Sequence, residues 1–285
     1  MTNAERLRKL EQMGLGPVWV RRGVDGGTAD GGHADAAADP GMHAAAADVH
    51  VPEPAQASPQ QRLQQATPDA AAMMRAPLPV ARPAGVDPVS EADIAAMDWD
   101  ALEASIRSCT RCRLCEGRKL AVPGVGDRRA RWLFVGEGPG RTEDQQGEPF
   151  VGPAGKLLDN MLHALGLARG DATYIANVVK CRPVGADGRD RPPSADESAA
   201  CRPYLERQIE LIQPDIIVAL GKVAALALLG LPEDSSLSSV RGKPASYAGR
   251  PLMPTFHPAY LLRKPADKAL AWRDLCAAMR LVDGQ

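Results

Sequence analysis

Apolar residues are spread unevenly along this chain. Over residues 26–90 they are isolated among Ala, Gly, Pro, Asp and Gln, with no aromatic side chain, so this stretch cannot bury enough surface to offset the entropy of ordering. It reads as a disordered linker over 26–96. Ahead of it, residues 1–25 form a short apolar segment: Leu7, Leu10 and Met13 fall near one helical face, and Gly14-Leu15-Gly16-Pro17 leads into Val18-Trp19-Val20. This segment is a candidate for docking on its own domain or on a protein partner. From residue 97 to 285 the pattern changes to that of a folded domain. Short apolar runs at 132–135, 174–179, 216–220 and 252–256 predict buried strands, and helical periodicity over 154–167, 195–212, 222–229 and 268–282 predicts helices between them.

Strands alternating with helices imply an α/β fold with a mainly parallel sheet covered on both faces. Ligands of such sheets sit beyond the carboxyl ends of the strands. Here those ends carry Gly136-Glu137-Gly138-Pro139-Gly140, Asn177 with Lys180-Cys181, Gly221-Lys222, and His257-Pro258. Glycines, an amide, cations and an imidazole at four strand ends point to one composite pocket.

Charge refines the picture only slightly. Residues 1–97 hold 8 Lys+Arg against 12 Asp+Glu and residues 98–285 hold 26 against 23, so a net charge of −1 conceals parts of −4 and +3. The positive excess of the domain is compatible with a nucleic-acid partner. No apolar h-region follows a basic start, and no run of about 18 apolar residues occurs, so a cytoplasmic protein without a membrane partner is expected.

The cysteines carry more information. Cys109 and Cys112 form a C-x2-C pair, and Cys181 and Cys201 each open a Cys-Arg-Pro tripeptide. Thiols grouped this way in a reducing compartment read as metal ligands, for an iron–sulfur cluster or for zinc. Cys115 extends the run and is an alternative ligand, whereas Cys276, in the middle of the last amphipathic helix, reads as a core residue.

At the pocket, Gly136-x-Gly138-x-Gly140 lacks the glycine at 141 that a dinucleotide fingerprint needs, and no Walker pattern occurs. A long polar loop from 141 ends at Phe150, just before a helix, and an aromatic there offers a face on which a base stacks. The amide of Asn177 has the donor and acceptor to read the O4 and N3–H edge of a pyrimidine and reject cytosine. His257 precedes Pro258-Ala259-Tyr260-Leu261-Leu262-Arg263-Lys264, an apolar tip beside cations, suited to filling a vacated base stack and holding phosphates.

With these residues in place the chain resembles the iron–sulfur uracil-DNA glycosylases of family 4, found in bacteria and archaea. The resemblance spans roughly 100–282. It rests on Gly136-Glu-Gly-Pro-Gly, Glu143-Asp144, Gly147-Glu-Pro-Phe-Val-Gly, Asn177 with Lys180-Cys-Arg-Pro, Cys201-Arg-Pro-Tyr-Leu-Glu, and Thr255-Phe-His-Pro-Ala-Tyr-Leu-Leu-Arg. It implies a three-layer α/β/α sandwich around a central four-stranded parallel sheet, with a structural [4Fe–4S] cluster on Cys109, Cys112, Cys181 and Cys201. It further implies that Phe150 stacks on extruded uracil, Asn177 reads its edge, His257 lies near O2 and the backbone around Gly138 completes the cradle. Glu143 would crowd the C5 side. Gly221 and Lys222 would bind a phosphate, Tyr260 or Leu261 would enter the gap in the duplex, and Arg263 is a phosphate contact.

The implied reaction is hydrolysis of the N-glycosidic bond, releasing free uracil from single- or double-stranded DNA in base excision repair. A monomer acting on nucleoid DNA is expected. The best-known uracil glycosylases orient water with an Asp in a Gly-Gln-Asp-Pro motif. Gly138 stands at that place here, with Glu137 one residue off and Glu143 farther away, so no general base is assigned and electrostatic stabilisation of the leaving anion, with weakly assisted water, is expected. A related group with a Lys-Arg-Arg-Ile-His loop attaches covalently to the abasic site, and no such insert precedes His257. The other alternative is a non-enzymatic iron–sulfur nucleic-acid-binding protein of the same fold.

Overall fold

The structure, a computed structural model, describes residues 89–284. The apolar N-terminal segment and the linker up to residue 88 lie outside the described residues.

The domain starts ahead of residue 97. Helix α1 (Glu91–Ala96) opens with a capping box in which the Ser90 hydroxyl and the Asp93 carboxylate each accept the other's backbone N–H. It carries Ile94 into the core with no exposed surface. Helix α2 (Trp99–Ser108) is capped by Asp98, whose carboxylate accepts the Ala101 N–H at 2.9 Å, and buries Leu102 and Ile106. Residues 89–96, placed in the linker by composition, are therefore part of the fold. A single turn, α3 (Leu114–Gly117), completes this N-terminal layer.

The remaining elements run β1 (Val125–Gly126), β2 (Trp132–Gly136), α4 (Arg141–Gln146), α5 (Pro153–Ala164), β3 (Thr173–Asn177), α6 (Ala195–Ile212), β4 (Ile216–Leu220), α7 (Lys222–Leu229), α8 (Leu237–Val240), β5 (Ala245–Tyr247), β6 (Arg250–Thr255), α9 (Pro258–Arg263) and α10 (Lys268–Asp283). The four expected strands and four expected helices are all present. Helix α4 lies where a polar loop was expected.

The sheet is six-stranded and mixed, in the order β1-β3-β2-β4-β6-β5. Where a central four-stranded parallel sheet was expected, the sheet is mixed and has two further strands. The pairs β3·β2, β2·β4 and β4·β6 are parallel, while β1 and β5 add antiparallel edges of two and three residues. Every residue of β2, β3 and β4 is buried, as parallel strands covered on two faces require. One face presents Leu133, Val135, Ala176 and Ile217 to the apolar residues of α1, α2, α6 and α7. The other presents Phe134, Ile175, Val218 and Met253 to those of α5, α9 and α10. Each such aliphatic or aromatic side chain contributes about 1.5–3 kcal/mol by leaving water.

Register decides where the site forms. Gly136 pairs with Asn177, and Leu220 pairs with Thr255, so the carboxyl ends of the parallel strands finish almost level. The residues that follow are brought to one edge: the Gly221 N–H donates to the Thr255 carbonyl at 2.9 Å, and a Cβ on Gly221 would lie 2.8 Å from Cβ of His257. Gly221 has φ +93°, so both space and conformation demand glycine there.

Candidate active site and cysteine cavity

Phe150 is buried and holds φ +56°, a left-handed conformation that bulky residues rarely adopt. Its surroundings account for that cost. Oε1 of Glu143, presented by α4, accepts the Val151 and Gly152 N–H groups at 3.0 Å each. Arg169 donates to the carbonyls of Pro149 and Phe150, both at 2.9 Å, and is itself gripped by Asp159 at 2.8 Å. Gly155 lets α5 approach so closely that a Cβ there would stand 1.7 Å from the Phe150 carbonyl oxygen. The aromatic is thus fixed in place before any ligand arrives.

Its ring lies over the end of β2. A Cβ on Gly136 would fall 2.6 Å from the Phe150 ring and 2.5 Å from Oδ1 of Asn177, so the three residues share one small space. Asn177 ends β3 and is 2 % exposed, and its Oδ1 is buried without a hydrogen-bond partner. Buried polar atoms are nearly always satisfied, and one left open beside an aromatic face is suited to a ligand donor.

His257 caps α9. Its Nδ1 accepts the Ala259 N–H at 3.1 Å, which places the proton of the neutral ring on Nε2. Burial, and then the Arg263 cation, push its pKa down to about 4 against the opposing pull of Glu143. The ring is therefore a neutral donor at physiological pH. Its centroid lies 5.5 Å from that of Phe150.

His257 opens onto a cleft walled by Glu137, Gly138, Pro139, Tyr260 and Arg263. Burial raises the Glu137 carboxyl above the usual carboxylate range. Gly138 must be small, because a Cβ there would meet Val179 at 2.7 Å. Phe150, Asn177, His257, Glu137 and Gly138 are brought together as the sequence suggested. Glu143 is close, but both contacts of its Oε1 brace the Phe150 loop.

The residues expected to contact DNA are placed differently from the expectation. Leu261 has no exposed surface and packs among Trp272, Leu275 and the other side chains under α9, so it is unable to enter a duplex. Its neighbour Leu262 is 44 % exposed. Tyr260 is a fixed wall: its ring stacks on Phe256 at 4.8 Å and its hydroxyl donates to Asp267 at 2.6 Å. Arg263 is exposed in the cleft. Lys222, the first residue of α7, is exposed and also lines a separate groove with Pro192, Val223 and Leu226.

Cys109, Cys112, Cys181 and Cys201 line one enclosed cavity, and Cys115 joins them. Ile106, Arg111, Arg118, Lys180 and Tyr204 form other parts of its wall. Three sulfurs receive N–H donors: Cys181 from Arg118 at 3.1 Å, Cys201 from the Lys180 amide at 3.3 Å and Cys109 from the Arg111 amide at 3.4 Å. Burial pushes the Cys181 thiol up to about 11 and the Cys201 thiol up to about 12, while the Arg118 and Lys180 donors pull the other way. Softly ligating sulfurs with aimed N–H donors fit a thiolate-bound metal group. Among the described residues no group of three or more His, Cys, Asp or Glu side chains is arranged to hold a single metal ion.

Sequence reasoning overlooked Arg169 and Arg118. Only Arg118 carried a signal, as a cation three residues after the cysteine run, where thiolates need a positive neighbour.

The family model described as the uracil DNA glycosylase superfamily matches residues 123–276. A type-4 uracil-DNA glycosylase of Pyrobaculum aerophilum is 44 % identical over 187 residues, covering 63 % of this chain and 92 % of that one. One from Thermotoga maritima is 46 % identical over 164 residues, covering 57 % and 82 %. A type-5 uracil-DNA glycosylase of P. aerophilum is more distant, at 30 % over 154 residues, covering 49 % and 66 %. Matched by the superfamily model over residues 123–276 and by type-4 relatives of 44–46 % identity, the chain belongs to the uracil-DNA glycosylase superfamily, among the type-4 enzymes.

Proposed function

We propose that this chain is a DNA-repair hydrolase that extrudes uracil from DNA and cleaves its N-glycosidic bond, leaving an abasic site. The observation that carries the reading is the unpartnered Asn177 Oδ1 set beside the fixed Phe150 ring, with the His257 ring 5.5 Å from Phe150.

Uracil stacked on Phe150 presents N3–H and O4 to the Asn177 amide. Oδ1 accepts from N3–H while Nδ2 donates to O4. Cytosine reverses both groups at that edge, so it leaves a buried amide mispaired, the kind of mismatch that sites reject most strongly. As C1′–N1 breaks, its electron pair passes to the base and negative charge grows on O2. His257 donates its Nε2–H there without surrendering the proton, and backbone amides near Gly138 add to the cradle. Water joins C1′ of the oxocarbenium sugar. Glu137, a cleft carboxylate outside the Arg182–Asp190 ion pair, orients it and accepts its proton. Exposed Leu262 fills the vacated stack, while Arg263 and Lys222 hold phosphates; the Gly221 N–H, expected to join them, is already given to the Thr255 carbonyl.

Cys109, Cys112, Cys181 and Cys201 hold a [4Fe–4S] cluster, supported by their common cavity and by the donors on three of the five sulfurs that line it. When bound, such a cluster ties the segment after α2 to the turn after β3 and to α6. Its role is structural.

The test is release of free uracil from single- and double-stranded uracil-containing oligonucleotides, with His257→Ala and Asn177→Ala beside the parent. Release by the parent and its loss in the variants is the expected result. A folded, metal-loaded parent that binds DNA but frees no uracil overturns the reading.

A further inference from the structure

Lys180 is the least expected side chain of the domain. It is 2 % exposed, although it is a lysine, and its partners are both neutral oxygens. Nζ donates to the Asn177 carbonyl at 2.8 Å and to Oε1 of Gln208 at 2.6 Å. Gln208, buried in α6, spends its own amide on the Pro123 carbonyl at 2.8 Å. The Lys180 main chain is anchored equally firmly. Its N–H points at Sγ of Cys201 at 3.3 Å and its carbonyl accepts the Val122 N–H at 2.7 Å. One residue therefore touches the cysteine cavity with its backbone and the base-reading asparagine with its side chain.

The turn it braces is the one that aims Asn177. After β3 the Val178 and Val179 N–H groups donate to the Gly136 and Glu137 carbonyls at 2.9 and 3.1 Å, so the turn is stitched to the wall of the pocket. The Asn177 carbonyl points the other way, toward α6, and Lys180 is its partner there. A neutral core residue would leave that carbonyl unsatisfied.

We infer that Lys180 is a positioning residue, which ties Asn177 to the wall of the cysteine cavity so that pyrimidine reading depends on that cavity being intact. The inference rests on the glycosylase reading and gives its site a dependence on the cysteine layer.

The experiment is a double-mutant cycle on the full chain with Lys180→Met, Asn177→Ala and both together, read as kcat/KM and, separately, as calorimetric affinity for free uracil. Iron content and thermal unfolding are measured on each protein. Lys180→Met is expected to keep parental iron and to lose ~10- to 100-fold in kcat/KM, with uracil affinity falling alongside. The double variant is expected within about threefold of Asn177→Ala alone, because Lys180 acts through that residue. Losses that multiply, or parental activity and affinity in Lys180→Met, overturn the inference. Should Lys180→Met fail to fold, Gln208→Leu goes through the same cycle, with a smaller but again non-multiplying loss expected and multiplying losses refuting. A failed glycosylase reading shows itself separately, as a parent that frees no uracil.

Discussion

The protonation state of His257 is the sharpest mechanistic commitment of the site. If the imidazolium ion were the catalyst, its share at pH 7 would be set by a pKa of about 4, three units lower, or about one molecule in a thousand. A neutral ring needs no such rare form, and the Ala259 N–H on Nδ1 already selects the tautomer that carries its proton on Nε2. The prediction is a kcat, from single-turnover release of uracil, that stays flat from about pH 5.5 to 8 on the His257 side. His257→Ala should lose on the order of 100- to 1000-fold, the usual effect of removing one oxyanion donor. His257→Gln, which keeps a neutral N–H, should recover part of it. The same shift acts on stability. The unfolded chain takes a proton near pH 6.5 that the native ring refuses down to about 4, so stability rises with pH through that window and is complete above it, by on the order of 3 kcal/mol. A parent rate that climbs tenfold per unit as pH falls from 7 to 5, and loses that slope in His257→Gln, would refute the neutral-donor account.

Other consequences can be checked on the same substrate. Cys181→Ala should lose iron and much of the fold, whereas Cys276→Ala, outside the cavity on α10, should keep both; equal iron content in the two would sink the ligand assignment. Leu261→Ala should destabilise by about 2–5 kcal/mol, read from denaturant unfolding. Leu262→Ala should leave stability within about 0.5 kcal/mol and reduce uracil release from duplex more than from single strands. Gly136→Ala should drive the Asn177 amide and Phe150 ring apart and lower kcat/KM by more than about 100-fold with little change in far-UV circular dichroism.

How much of this was legible in the sequence depended on whether an element has its own apolar signature. Strands β2, β3 and β4 did, because burial on both faces turns them into apolar runs, Trp-Leu-Phe-Val, Tyr-Ile-Ala and Ile-Ile-Val-Ala-Leu. The edges β1 and β5 did not: they are two and three residues long and partly exposed. Helix α4, Arg-Thr-Glu-Asp-Gln-Gln, has no apolar stripe at all. It is held by polar contacts, with buried Asp144 accepting the Lys119 N–H at 2.9 Å and Glu143 serving the Phe150 loop. Helix α1 carries a single buried side chain, Ile94, and so blended into the Ala-rich linker before it.

The site divides along the same line. Phe150, Asn177 and His257 were legible because strand ends are where such folds bind ligands, and a Phe, an Asn and a His there are conspicuous. Two adjacent leucines defeated that reasoning. Leu261 and Leu262 are chemically identical, and only the rotation of α9 against α5 and α10 turns one into the core and the other to solvent. Lys180 defeated it differently, since a lysine in a sequence reads as a solvated cation unless its surroundings are known. Those surroundings come from residues 21 and 28 positions downstream, Cys201 and Gln208, both on α6. What the sequence displays is therefore the set of groups proposed to meet the base. What only the fold displays is the layer of glutamate, arginine and lysine contacts that holds those groups at fixed angles, and it is this layer that makes a pocket of ordinary residues selective for one pyrimidine.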